Sequence, residues 1–246
     1  MSLPIRQIEI KNFKSIKETH LEQCKRINLF IGKPNVGKSN LLEALSLFSF
    51  PFLKYLKRKD IRQFIRVENM SELFYDGDIN QPIHIKADPY RAAVTWSPQN
   101  TLSVELRFPH EEEIKSIREK ENGEIFLIPF SGLADTLQRI IFYKAAIQSN
   151  RNSVLLFEEP EAHAYPPYIT GIVQDIIHST ENQFFLTTHS PYVVNALLEN
   201  PTNDLSIYVV DMKDGCTVVK RLTDDDLQNV YEYGVDLFFN IETFQR

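Results

Sequence analysis

Arg26-Ile-Asn-Leu-Phe-Ile31, Gly32-Lys-Pro-Asn-Val-Gly-Lys-Ser39 and Asn40-Leu-Leu-Glu-Ala-Leu-Ser-Leu-Phe48 run on without a break, and this stretch decides the fold. Its middle part fits the phosphate-binding pattern G-x-x-x-x-G-K-[ST] at every fixed position, with a strand-like run before it and a helix-like run after it. By chance the four fixed positions fall together in about one chain in a hundred of this length. Gly32 and Gly37 allow a tight turn that aims successive backbone N–H groups at phosphate oxygens. The helix N-terminus adds partial positive charge. Lys38 is the expected partner of the β- and γ-phosphates and Ser39 a Mg²⁺ ligand. Gly32, Lys33, Pro34, Asn35, Val36, Gly37, Lys38, Ser39 and Asn40 form the candidate nucleotide-binding loop. The stretch implies a nucleoside triphosphate, with ATP and Mg²⁺ the expected pair.

Working outward, 246 residues can bury a large core within one α/β domain. With 43% hydrophobic and 24% charged residues the composition is that of a soluble globular protein. The longest apolar stretch, Leu45 to Leu53, is too short for a bilayer and contains Pro51. The first residues lack a signal-peptide layout. Cys24 and Cys216 are far apart and read as free thiols. A cytoplasmic protein with no membrane contact is expected. The net charge of −6 disfavours general nucleic-acid binding. Against that trend, Lys54 to Arg66 holds six basic residues and one acid, either a solvated helix face or a local contact for phosphate or an acidic partner.

Residues 5–13 and 15–21 alternate as a strand pair. The loop and its helix follow, ending near Pro51, then a basic helix over 53–67. Short strands over 82–87, 92–96 and 101–108 read as an antiparallel insertion, and 109–122 as a small exposed helix. After residue 130, helices over 134–148, 167–179 and 191–199 alternate with strands over 153–157, 182–187 and 205–211, the pattern of a parallel sheet. An edge strand over 216–222 and short helices from 224 complete the chain. The expected division is a core lobe of about 1–50 and 150–246, and an inserted β/helical lobe of about 51–149.

Two strands end in chemistry. Val154-Leu-Leu-Phe-Glu-Glu-Pro160 is apolar until its two carboxylates. Placed beside the phosphate-loop strand, Glu158 would hold Mg²⁺ and Glu159 would act as general base. Phe184-Phe-Leu-Thr-Thr-His-Ser190 runs into His189, a candidate to sense or polarise the γ-phosphate.

The glycine loop, the two-acid strand with its proline and the strand-to-His segment, in that order, resemble an ATPase head of the ABC type. The SMC, RecF and OLD-like branches, often labelled AAA-21 or AAA-15 ATPases, are the most similar. Asn12-Phe-Lys-Ser15 resembles the N-F-[RK]-S start of those heads, which implies that Asn12, Lys14 and Ser15 approach the nucleotide. Glu158-Glu-Pro-Glu-Ala-His-Ala-Tyr-Pro166 resembles their combined Walker B and D-loop run, and Thr187-Thr-His-Ser-Pro191 their switch-histidine segment. The resemblance also implies a signature that binds the partner subunit's ATP. Ser131-Gly132 is its candidate, Leu133 and Ala134 replace the usual residues, and Asp135 and Thr136 are rivals. Gln63 and Gln81 both lie where a glutamine loop belongs, and His163 is either a subunit contact or a helix-entry residue satisfied locally. No TOPRIM domain or coiled-coil arm is legible.

The fold so implied is a P-loop NTPase of ABC type, with a mainly parallel core sheet, flanking helices, an N-terminal antiparallel portion and a small insertion. The implied activity is Mg-dependent ATP hydrolysis that closes and opens a head-to-tail homodimer, coupled to DNA or an effector protein in DNA maintenance or mobile-element defence. An ATP-gated scaffold with little turnover is the alternative. A transporter subunit fits poorly without an intact signature.

Overall fold

The computed structural model describes residues 5–49, 65–96, 102–107, 135–199 and 204–244. At its centre lies β3 (Ile27–Ile31), whose five residues are all buried. Because strand side chains alternate, Ile27, Leu29 and Ile31 enter one core and Phe30 the other. Full burial of Ile27, Leu29, Phe30 and Ile31 is worth about 6–12 kcal/mol, comparable to a domain's whole net stability. A charge at Leu29 therefore unfolds the protein.

Four strands join β3 in the order β10-β9-β3-β8-β7, where β7 is Val154–Glu158, β8 Gln183–Thr187, β9 Leu205–Lys213 and β10 Cys216–Arg221. β3, β7, β8 and β9 are parallel, and β10 returns antiparallel to β9. The acid-bearing β7 is therefore not beside the phosphate-loop strand, as expected, because β8 stands between them. Burial follows the order: β8, flanked on both sides, is buried at every residue, whereas edge strand β7 is half-buried except at Phe157.

The helices α2 (Asp135–Ser149), α3 (Pro166–His178), α4 (Pro191–Leu198) and α5 (Asp224–Tyr233) cover one face, and α6 (Ile241–Phe244) follows. Prolines open α3 and α4, and a Thr223–Asp226 capping box opens α5. The other face packs on α1 (Lys38–Ser46) and on a second, antiparallel sheet of order β2-β1-β4-β5-β6. Its strands are β1 (Ile8–Phe13), β2 (Ile16–Leu21), β4 (Ile83–Ala87), β5 (Tyr90–Trp96) and β6 (Leu102–Arg107). β4 pairs directly with β1, so the inserted strands extend the N-terminal sheet and share its core. They do not form a lobe apart. β5 starts at Tyr90, earlier than expected, because Asp88-Pro89 alone turns the chain between Ala87 and Tyr90. Cys24 and Cys216 are free thiols. The basic segment over 54–64 and the 109–122 stretch lie outside the described residues.

Candidate active site

The phosphate loop joins β3 to α1 at the C-terminal edge of the parallel strands, the usual ligand edge of such sheets. Both glycines are required there. A Cβ on Gly32 would lie 2.3 Å from the Val210 carbonyl oxygen, and one on Gly37 2.1 Å from Thr217 Oγ1. Gly37 also has φ 95°, a left-handed conformation at the N-cap of α1. Lys33, Pro34 and Asn35 are exposed, and Val36 is buried beneath them. Lys38 is 6% exposed, and its ammonium folds back to donate to the carbonyls of Gly32 (3.0 Å) and Lys33 (2.8 Å). Burial pushes its pKa down to about 8, against the opposing charge of Glu159.

Across the loop, Ser39 Oγ donates to Glu158 Oε1 at 2.5 Å. Two hard oxygen donors, one anionic, thus meet at the mouth of the phosphate loop, a set that suits Mg²⁺. The second oxygen of Glu158 takes the Arg66 guanidinium. Arg66 also lies 3.9 Å from Glu43, the ion-pair partner of Lys14. Ser39, Glu158, Arg66, Glu43 and Lys14 thereby form one charged chain.

Glu159 leaves β7 with φ 42°, held by its own N–H on the Thr187 carbonyl (3.0 Å) and hydroxyl (3.2 Å). Its carboxylate is half-exposed, with Oε1 3.5 Å from His189 Nε2. Burial and the Lys38 charge hold the His189 pKa below the ordinary imidazole value, and Glu159 and Glu161 oppose them. The imidazole is therefore neutral at pH 7, able to accept a hydrogen bond or to donate one.

The tip of the β1–β2 hairpin reaches the loop through Ser15. Its hydroxyl accepts from Asn40 Nδ2 and lies 2.6 Å from Thr217 Oγ1, which donates to the Val36 carbonyl. Asn12 turns elsewhere, binding the Gln81 carbonyl and the Tyr75 N–H, so it braces the 75–81 turn. Gln81 meets the site region only through that backbone contact. Thr136 donates to the His163 carbonyl at 2.8 Å, tying the start of α2 to the turn after the acids, where His163 has φ 60°. Ser131, Gly132 and Gln63 lie outside the described residues. Arg66 and Thr217 carry no motif of their own; only the basic character of 54–66 hinted at Arg66. A concavity of about 410 Å³ lies on the outer face of the antiparallel sheet, lined by Glu9, His84, Lys86, Arg91 and Glu105 among others, and holds none of these residues.

A phosphate loop with acids and a histidine at neighbouring strand ends, on this two-sheet frame, defines a P-loop ATPase head of the ABC class. Comparison with known proteins gives the family. The model of the AAA ATPase domain family, AAA_15, matches residues 4–129, just over half of the chain. A second AAA domain model matches residues 72–195. The chain belongs to the AAA ATPase domain family. It is 31% identical to an ATP/GTP phosphatase of Helicobacter pylori over 119 residues, which are 46% of this chain and 30% of that protein. It is 42% identical to the DNA replication and repair protein RecF of Leptospira biflexa over 62 residues, 25% of this chain and 16% of that one. The chain thus spans less than a third of either relative. Among solved structures, an Smc head bound to the C-winged helix domain of ScpA aligns with TM-score 0.55 and 16% identity over 92% of this chain and 100% of that one. The Smc head domain bound to the C-terminal domain of ScpA derived from Pyrococcus furiosus aligns with TM-score 0.52 and 12% identity, over 94% and 99% of the two chains. At such identities the likeness is one of fold, and the fold is that of an SMC/RecF-like ATPase head. No helix among the described residues is long and apolar enough to cross a membrane.

Proposed function

We propose that this ATPase domain binds ATP with Mg²⁺ on the Gly32–Asn40 loop and hydrolyses it in a site completed by a second copy of the chain. The observation that carries this reading is the convergence of Lys38, Ser39, Glu158, Glu159 and His189 on one sheet edge from three separate strand ends. Ser39 and Glu158 are the residues that would hold Mg²⁺, whose charge offsets that of the phosphates. Lys38 leaves its loop carbonyls for the β- and γ-phosphates. The Glu159 carboxylate takes a proton from water as its oxygen bonds to the γ-phosphorus and the bond to the β–γ bridging oxygen breaks, leaving ADP and phosphate. His189 Nε2, facing Glu159, orients that carboxylate and the transferred group. Nearly all of this is positioning and electrostatics, which a preformed polar edge supplies.

The partner copy would contribute Ser131-Gly132, with Asp135 and Thr136 as the rival contributors. Closure on ATP and reopening after hydrolysis would be the output, delivered in the cytoplasm to DNA or to an effector protein. The similarity to RecF supports the first recipient, and the ScpA-bound heads of like fold support the second. Glu159→Gln tests the composite site: with ATP and Mg²⁺ its mass in solution should double, and an unchanged mass refutes the shared site. One observation favours the alternative of a scaffold with slow turnover. Arg66 occupies an oxygen of Glu158, so the metal-binding carboxylate is engaged before nucleotide arrives. Wild-type protein that releases no phosphate, with or without DNA, would establish that alternative.

A further inference from the structure

Glu161 has no part in the chemistry above, yet it is the residue that joins the two halves of the hydrolytic pair. The chain leaves β7 at Glu158, turns through Pro160 and Glu161 with Ala162 N–H on the Glu159 carbonyl, and so brings the Glu161 side chain back toward the end of β8. There a single oxygen, Oε1, accepts from the Thr188 hydroxyl at 2.7 Å and from the His189 backbone N–H at 2.8 Å. Thr188 is fully buried, and its hydroxyl oxygen in turn accepts from the Ser190 N–H at 3.0 Å. The histidine's backbone is thereby fastened to the turn that carries Glu159, while its ring faces the Glu159 carboxylate from the other side. The two side chains stand 30 residues apart in sequence, each just past the end of one of two paired strands. Glu161 Oε2 is shielded from solvent and has no partner among the described residues, so the carboxylate is committed to this clamp and to nothing else they show.

We propose that Glu161 is a positioning residue for hydrolysis: it sets the distance and angle between His189 and Glu159 and acts on the reaction only through His189. This rests on the roles proposed above for His189 and Glu159. A residue that merely stabilised the turn would lower the melting temperature and leave the rate per folded molecule unchanged. A clamp acts on kcat, because ATP is held by the loop on β3.

The test is a cycle of full-length variants, with kcat and KM for MgATP and the melting temperature measured for each. Glu161→Ala loses both hydrogen bonds and should lower kcat about 10- to 100-fold with KM within about threefold of wild type. Glu161→Gln keeps a carbonyl acceptor at Oε1 and should restore kcat to within about threefold. Thr188→Val removes one donor from the opposite side and should cost a few-fold, which keeps the test alive if the alanine variant folds poorly. In a His189→Ala background, Glu161→Ala and Thr188→Val should cost nothing more. If the losses add in that background, or if Glu161→Ala turns over like wild type, the clamp is refuted while the reading of the site stands. If His189→Ala itself turns over like wild type, the reading of His189 falls and the clamp falls with it.

Discussion

The two edges of the central sheet are built from the same strands and differ in what their polar side chains face. At the edge where the parallel strands begin, Asn28, Gln183 and Arg26 are closed on backbone groups. Asn28 accepts from the Lys25 N–H and donates to the carbonyls of Lys25 and Phe184. Gln183 accepts from the Ile5 N–H and donates to the carbonyls of Ile5 and Lys25. Arg26 caps the end of α3 through the carbonyls of Ile176, Ile177 and Ser179. Left-handed backbone occurs at both edges, at Gln23 and Asn152 where the strands begin and at Asn35, Gly37, Glu159 and His163 where they end. At the ligand edge Lys38 and His189 have depressed pKa values, and among the described residues each edge holds one buried polar atom without a partner, Arg221 Nε beside Asp224 and Glu161 Oε2 beside His189. One edge holds the sheet together. The other gathers the charged groups around the phosphate loop.

Mutations should therefore separate the edges cleanly. The largest effect is expected from Glu159→Gln, which keeps the shape of the side chain and removes its basicity. Phosphate release should fall about 10³-fold with the melting temperature unchanged. A residual rate within about tenfold of wild type would move the general base elsewhere. Next comes Gln183→Leu on the opposite edge. It strips the Gln183 amide from the Ile5 N–H and carbonyl, leaves Asn28 alone on the Lys25 carbonyl, and should cost about 3 kcal/mol, or about 6–12 °C in Tm. At a temperature where the variant is still folded its kcat should match wild type. A selective loss of kcat there would mean that the two edges are coupled after all.

How far each edge could be read in the sequence follows from the range of the contacts that build it. The loop between β3 and α1 was legible because its pattern is contiguous: Gly32, Gly37, Lys38 and Ser39 lie within eight successive residues. Glu158 and His189 were legible as polar residues ending apolar runs. The order of their strands was not, since nothing in the pattern of β7 or β8 says which lies next to β3. The same holds for Arg66 on Glu158, a contact across 92 positions, and for Thr217 on Val36, across 181. Asn12 shows the reverse case. Its motif implied an approach to nucleotide, and in the fold its amide braces the 75–81 turn. Motifs report which residues the chemistry needs, and long-range packing decides where each one points.

A third effect is smaller and separates the edges by protons. In the free protein Lys38 has a pKa of about 8, below its unfolded value, so above pH 8 the buried amine is largely neutral. Phosphate charge at that nitrogen raises the pKa again. Binding ATP at pH 9 should therefore take up about one proton, and binding at pH 6.5 close to none. Calorimetry in buffers of different ionisation enthalpy measures this uptake. Lys38→Arg, whose guanidinium stays charged throughout, should abolish it. Uptake of the same size in that variant would place the titrating group elsewhere.

The smallest effect is expected where a charge touches the loop from outside. Lys33, within the phosphate loop, pairs with Glu242 on α6 at 2.8 Å, and both side chains are more than half exposed. By sequence position this pair looks more important than Gln183, because it joins the nucleotide loop to the last helix. By physics it should matter little, since water and salt screen an exposed ion pair and ordering two long side chains offsets most of the attraction. Glu242→Gln should leave ATP affinity within about twofold of wild type, and the difference should vanish in high salt. If instead affinity changed tenfold and the change survived salt, α6 would be a strap on the phosphate loop. The ligand edge would then extend to the C-terminal helix, and the division drawn between the two edges would have to be redrawn around it.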